Sequence, residues 1–133
     1  MAVRTRFLRL QSLIAYLQSE KNGDEIFINF KGKKIAPASE KFYRVADVPV
    51  DLDVELKLNK EDKWIDLELW EYNAFLPNIF LGNFKLLVDQ HSDTFTAELI
   101  RENNTQAKYA LTWELVSKLV ENKKAAVASK KRN

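Results

Sequence analysis

The chain has 133 residues, 46% apolar and 11% aromatic, which is one domain's length with enough apolar material for a core. It has no cysteine, so disulfides, zinc–thiolate sites and cysteine nucleophiles are excluded. Its net charge of +2 is unevenly spread. Over 118–133, Lys118, Lys123, Lys124, Lys130, Lys131 and Arg132 face only Glu121, a net +5 that leaves −3 for the body.

Arg9, Gln11 and Ser12 interrupt the first apolar run, so it does not read as a secretory leader. No stretch reaches the roughly 18 apolar residues of a membrane-spanning helix. The expectation is a soluble, cytoplasmic protein.

In chain order, Arg6–Leu17 reads two ways. Phe7, Leu10, Leu13, Ile14 and Leu17 share one face of a helix, while Leu8, Leu10 and Ser12 alternate as in a strand. Glu25–Phe30 is β-branched and aromatic and reads as a strand. Phe42–Val50 and Leu52–Leu58 follow, with Leu52, Val54, Leu56 and Leu58 on one face. Trp64–Trp70 and Asn83–Val88 continue the pattern, and Gly82 marks a strand end. In Phe95–Arg101, Phe95, Ala97 and Leu99 share a side. In Ala107–Leu115, Tyr109, Leu111, Trp113 and Leu115 do so. Over Thr112–Lys124, Leu115, Leu119 and Val120 have the spacing of a short amphipathic helix after the last strand. About eight short strands separated by polar turns predict an all-β antiparallel sandwich, with room for a short C-terminal helix. The sandwich is expected over 1–117 and a basic tail or short helix over 118–133.

The loop Tyr72–Phe80 is unusually apolar. Phe75, Leu76 and Ile79 either pack back on the sandwich or form an exposed docking patch with Tyr72. Trp70 and Trp113 are expected in the core, and Trp64 partly exposed. Lys31, Lys33 and Lys34 read as a lysine-defended edge strand, Lys31 and Lys33 on one face. The aromatics fall on the core-facing alternation, which argues against nucleic-acid binding. His91 is the only histidine, in the polar run DQHSDT, with no orienting partner or nucleophile at a catalytic spacing. No GxSxG, HExxH or phosphate-cradling glycine loop is present, and no catalytic residue, metal or cofactor is expected.

Three stretches resemble a bacterial C2-like domain: RLQSLIAYLQSEKNGDEIFINFKGKKI (Arg9–Ile35), Ile65–Leu86 with its IDLELWEYNAFLPNIFLG core, and KYALTWELV (Lys108–Val116). The resemblance implies a C2 sandwich, a fold that docks membranes through calcium in some members and binds proteins in others. It places Asp24, Glu71, Asn73 and Ile79 at the calcium-ligand positions. One aspartate, one longer carboxylate, one amide and one alkyl chain fall short of the six to eight hard oxygens calcium takes.

The reading is therefore a calcium-independent binding or adaptor module, a structural subunit of a larger protein assembly. Its expected docking surfaces are Tyr72, Phe75, Leu76 and Ile79, with Lys123, Lys124, Lys130, Lys131 and Arg132 in the basic segment. The alternative is peripheral membrane binding, with the apolar loop inserted and basic residues on anionic headgroups. An accessory domain of a carbohydrate-active or secreted system is a second alternative.

Overall fold

The ambiguous first segment is strand, β1 (Ala2–Leu17), and its two-way reading has a local cause. Leu8 and Leu10 point into the core. Leu10 then pairs with Trp113 and Ser12 with Thr112, so Gln11 is an extra residue bulged out of the ladder. The bulge reverses the side-chain parity, and Leu13 and Ala15, not Ser12, become the next core residues. The resulting 8-10-13-15 spacing imitates part of a helical repeat. On the other flank Leu52 and Asp53 together stand opposite Gln11. Asp53 adopts a φ of 49°, a region an aspartate tolerates better than most residues.

The computed structural model describes residues 2–18, 23–102 and 106–121. After β1 come β2 (Asp24–Phe30), β3 (Lys33–Ala36), β4 (Tyr43–Val45), β5 (Val50–Lys57) and β6 (Trp64–Glu71). They are followed by β7 (Ile79–Leu87), β8 (Thr94–Glu98), β9 (Ile100–Arg101) and β10 (Lys108–Glu121). One sheet has the order β5-β1-β10-β8; the other runs β3-β2-β6-β7-β9, with β4 also on β2. All pairings are antiparallel. Leu8, Leu10, Leu13, Leu111, Trp113 and Leu115 from the first sheet meet Ile26, Ile28, Leu67, Leu69, Phe84 and Leu86 from the second. The alternation of Tyr109, Leu111, Trp113 and Leu115 is fully inward, as their period of two requires.

The described residues hold ten strands rather than about eight: Lys33–Ala36 forms a strand of its own, and the expected Phe95–Arg101 strand divides in two. Phe42–Val50 supplies only Tyr43–Val45 before a bend at 46–48. Pro49, which cannot donate to a ladder, separates it from β5. Phe95–Arg101 crosses between the sheets at Leu99, so β8 pairs with β10 and β9 with β7. The expected helix after the last strand is absent as far as Glu121: β10 continues unbroken, paired with Ala2–Phe7. Residues 122–133, and with them the rest of the expected tail or short helix, lie outside the described residues.

Three placements differ from expectation. Gly82 sits inside β7, not at a strand end, where a Cβ would lie 2.1 Å from the Ile100 carbonyl oxygen. Its lack of a side chain lets β9 dock on β7. Trp70 is on the outer face of the six-stranded sheet, between Phe27 and Phe80 at centroid distances of 6.3 and 5.2 Å. Lys31 does not share a strand face with Lys33. It forms, with Gly32, the two-residue turn joining β2 to β3, both at positive φ. Lys33 and Lys34 do lie on the edge strand β3. No helix among the described residues is long and apolar enough to cross a membrane.

Candidate functional site

β1 and β6 end, and β2, β7 and β10 begin, at one end of the sandwich. The two sheets are tied there by the Tyr109 hydroxyl, which donates to the Asp24 carboxylate. Glu71 lies on the same inward face, opposite Ile26, and is buried. Burial first, and then the Asp24 bond and the two carboxylates, push the Tyr109 phenol far above its ordinary range.

Above this polar plug stands the loop between β6 and β7. The Tyr72 amide donates to the Glu25 carbonyl at 2.7 Å, fixing the loop base to β2. The Asn73 amide donates to Asn78 Oδ1 at 2.8 Å. Asn73 Oδ1 in turn accepts from the amides of Phe75 and Leu76 at 3.4 and 3.3 Å. Two asparagine side chains thus hold three of the loop's own amides, an arrangement asparagine favours. Its apolar side chains are left outside: Phe75 is 97% exposed, Leu76 67% and Ile79 42%. Val48, Tyr16 and Leu17, at the same end, are also exposed.

Tyr72 faces the other way. Its ring stacks on Phe42 at 5.2 Å, with Lys41 over Tyr72 at 5.9 Å and Arg44 over Phe42 at 6.0 Å. Two rings capped by two cations therefore flank the loop. Arg44 also reaches Glu25 at 3.6 Å. Neither Lys41 nor the Phe42 stack was singled out by sequence reasoning; they are distant in sequence from the loop they support.

The positions implied for calcium do not fit that ion. Asp24 is fully buried with Tyr109 on its oxygen, Glu71 is buried, Asn73 is turned toward loop amides, and Ile79 offers no donor. Among the described residues no group of three or more His, Cys, Asp or Glu side chains is arranged for a metal.

The other sequence candidates fall elsewhere. Lys118 is in β10, paired with Glu55 at 2.9 Å and lying over the Phe7 ring at 4.8 Å. Lys123, Lys124, Lys130, Lys131 and Arg132 are outside the described residues. His91 is exposed at the opposite end, 3.6 Å from Asp93 and edge-on to Phe95.

No protein-family model matches the chain, and no curated protein sequence matches it. Solved structures do. The C2A domain of plant Extended Synaptotagmin 1 superposes with a TM-score of 0.60 at 14% identity, covering 92% of this chain and 99% of that one. A second solved C2 domain gives a TM-score of 0.52 at 9% identity, covering 85% and 98%. At such identities the likeness is one of fold.

Proposed function

Given that this chain folds as a C2-like β-sandwich, we propose that it is a non-catalytic, calcium-independent module that docks reversibly on anionic phospholipid surfaces. The carrying observation is Phe75, 97% exposed on a loop braced by Asn73 and Asn78, with Lys41 beside the loop base. A contiguous apolar tip rimmed by cations matches a bilayer's layered chemistry, hydrocarbon beneath anionic headgroups.

Magnitudes favour this over a protein socket. Inserting Phe75 and Leu76 gains roughly 1.5–3 kcal/mol each, and each nearby lysine or arginine about 1 kcal/mol. The total is that of weak, reversible docking. A stable protein interface needs on the order of 800 Å² from each partner, more than one loop tip presents. The protein-assembly reading would therefore require further surface. The lack of cysteine fits work in a reducing compartment.

Vesicle flotation tests the proposal. The chain is expected to float with phosphatidylserine-containing vesicles in chelator as well as in calcium, and Phe75→Asp to remain at the bottom. Absence of flotation at low salt, or flotation indifferent to Phe75→Asp, would overturn it. An oligomer dissolved by the same substitution, without flotation, would point to a protein partner.

A further inference from the structure

A cleft of about 320 Å³ opens beside this end of the sandwich, lined by Tyr16, Glu98, Leu99, Arg101, Lys108 and Tyr109. Tyr109 and Leu99 form its floor against the core, and its other walls come from a bulge and a strand crossing. Ala15 pairs with Tyr109 and Leu17 with Lys108, so Tyr16 is an extra residue bulged out of the β1–β10 ladder. A bulge re-aims a side chain, and Tyr16 is left 67% exposed at the cleft. Arg101 reaches the cleft because the chain changes sheets at Leu99, whose amide donates to the Tyr109 carbonyl at 3.0 Å. Glu98, opposite Ala110 in β8, closes the third side.

Among the described residues, neither the Arg101 nor the Lys108 side chain has a hydrogen bond or ion pair. Elsewhere Arg9, Arg44 and Lys118 are each held by a carboxylate. Two cations, one carboxylate and one exposed ring in a small cleft match a particular ligand. A phosphate ester suits Arg101 and Lys108, since a guanidinium and an ammonium both donate to its oxygens. An ammonium group suits Glu98 together with the Tyr16 ring face.

We propose that this cleft binds a phosphate ester carrying an ammonium group, of the phosphoethanolamine type. The phosphate lies between Arg101 and Lys108, and the ammonium between Glu98 and Tyr16. The source of the ligand, an aminophospholipid headgroup rather than a free metabolite, rests on the membrane-docking reading; the chemistry of the cleft does not.

Titration of the ¹⁵N-labelled full chain with phosphoethanolamine, inorganic phosphate and ethanolamine at constant ionic strength tests it. Phosphoethanolamine is expected to shift the Tyr16, Glu98 and Lys108 amides and to bind more tightly than either fragment. Arg101→Gln with Lys108→Gln should weaken it about tenfold or more. Glu98→Gln should abolish the preference over inorganic phosphate while leaving phosphate binding intact or stronger. Saturable shifts confined to the cleft support the site. Shifts no larger than those from sodium chloride, or centred elsewhere, overturn it, even where Phe75-dependent flotation persists and the docking reading stands. Flotation on phosphatidylethanolamine-enriched vesicles distinguishes the sources. A loss in the Arg101/Lys108 double variant assigns the cleft to lipid; retained flotation with a positive titration assigns it to a soluble phosphate ester.

Discussion

The Tyr109 hydroxyl donates to the buried Asp24 carboxylate, joining the start of β10 in one sheet to the start of β2 in the other. A position the C2 resemblance assigns to metal binding is thereby spent on holding the two sheets together. Fully buried beneath the loop, that carboxylate is also closed to a cation arriving from solvent.

Tyr109→Phe is expected to cost about 1–3 kcal/mol, the range for losing a bond to a buried polar or charged group. The phenol's raised pKa adds a pH signature. Below the ordinary tyrosine value of 10.0 both folded and unfolded chains keep the proton, and the full contribution is present. Above it the unfolded chain ionises while the folded one resists, so stability falls as pH rises. Urea midpoints from neutral to strongly alkaline pH should drop more steeply for the native chain than for Tyr109→Phe. Tyr43, also raised by burial, leaves the variant some residual slope.

Phe75→Asp should separate stability from docking. Phe75 is 97% exposed, so the unfolding free energy should change by no more than about 0.5 kcal/mol. Partition onto anionic vesicles should fall by roughly tenfold to a hundredfold, the equivalent of one inserted aromatic side chain. Thermal melts run beside flotation read both quantities on one protein.

Gly82 and Gly32 both sit at positive φ but differ in surroundings. A Cβ on Gly82 meets the Ile100 carbonyl oxygen at 2.1 Å and forces β9 off β7. Gly82→Ala should therefore cost about 2 kcal/mol or more. Nothing lies within 4 Å of a Cβ on Gly32, and Gly32→Ala should cost only the turn's own penalty, about 1–2 kcal/mol. Urea denaturation of the pair gives the comparison directly.

On the outer face of the four-stranded sheet, Glu55 accepts from Lys118 at 2.9 Å and from Arg9 at 3.0 and 3.3 Å. The Lys118 bond first, then Arg9, holds the Glu55 carboxyl below its ordinary value of 4.5. A depressed carboxyl stabilises above that value, and the contribution disappears as pH falls through and below it. Because these groups are substantially exposed, Glu55→Gln should lower the urea midpoint only slightly at neutral pH and low salt. The difference should vanish in about 1 M salt, where screening is nearly complete at these separations, and again in acid.

The strands were legible where period-two alternation ran undisturbed. In β10, Tyr109 to Leu115 predicts its own inward face because each residue's direction follows from its neighbour's. Trp70 shows the limit of that logic. It alternates with the core residues Leu67 and Leu69, so its place on the outer face follows from parity, yet aromatic size suggested the core. The apolar character of Tyr72–Phe80 was plain in sequence, and its outward turn was not.

The amino-acid sequence by itself determined a mostly β chain, most of its strand segments and the greasy loop, because side-chain periodicity and turn chemistry are local properties of consecutive residues. Only the tertiary structure decided that Gln11 and Tyr16 bulge, that Asp24 and Glu71 go inside, and that Phe75 stays out. Those outcomes depend on which distant strand supplies the ladder partner and which ring or hydroxyl waits across the core. Such partners lie tens of residues away, and no window of sequence contains both sides of the contact.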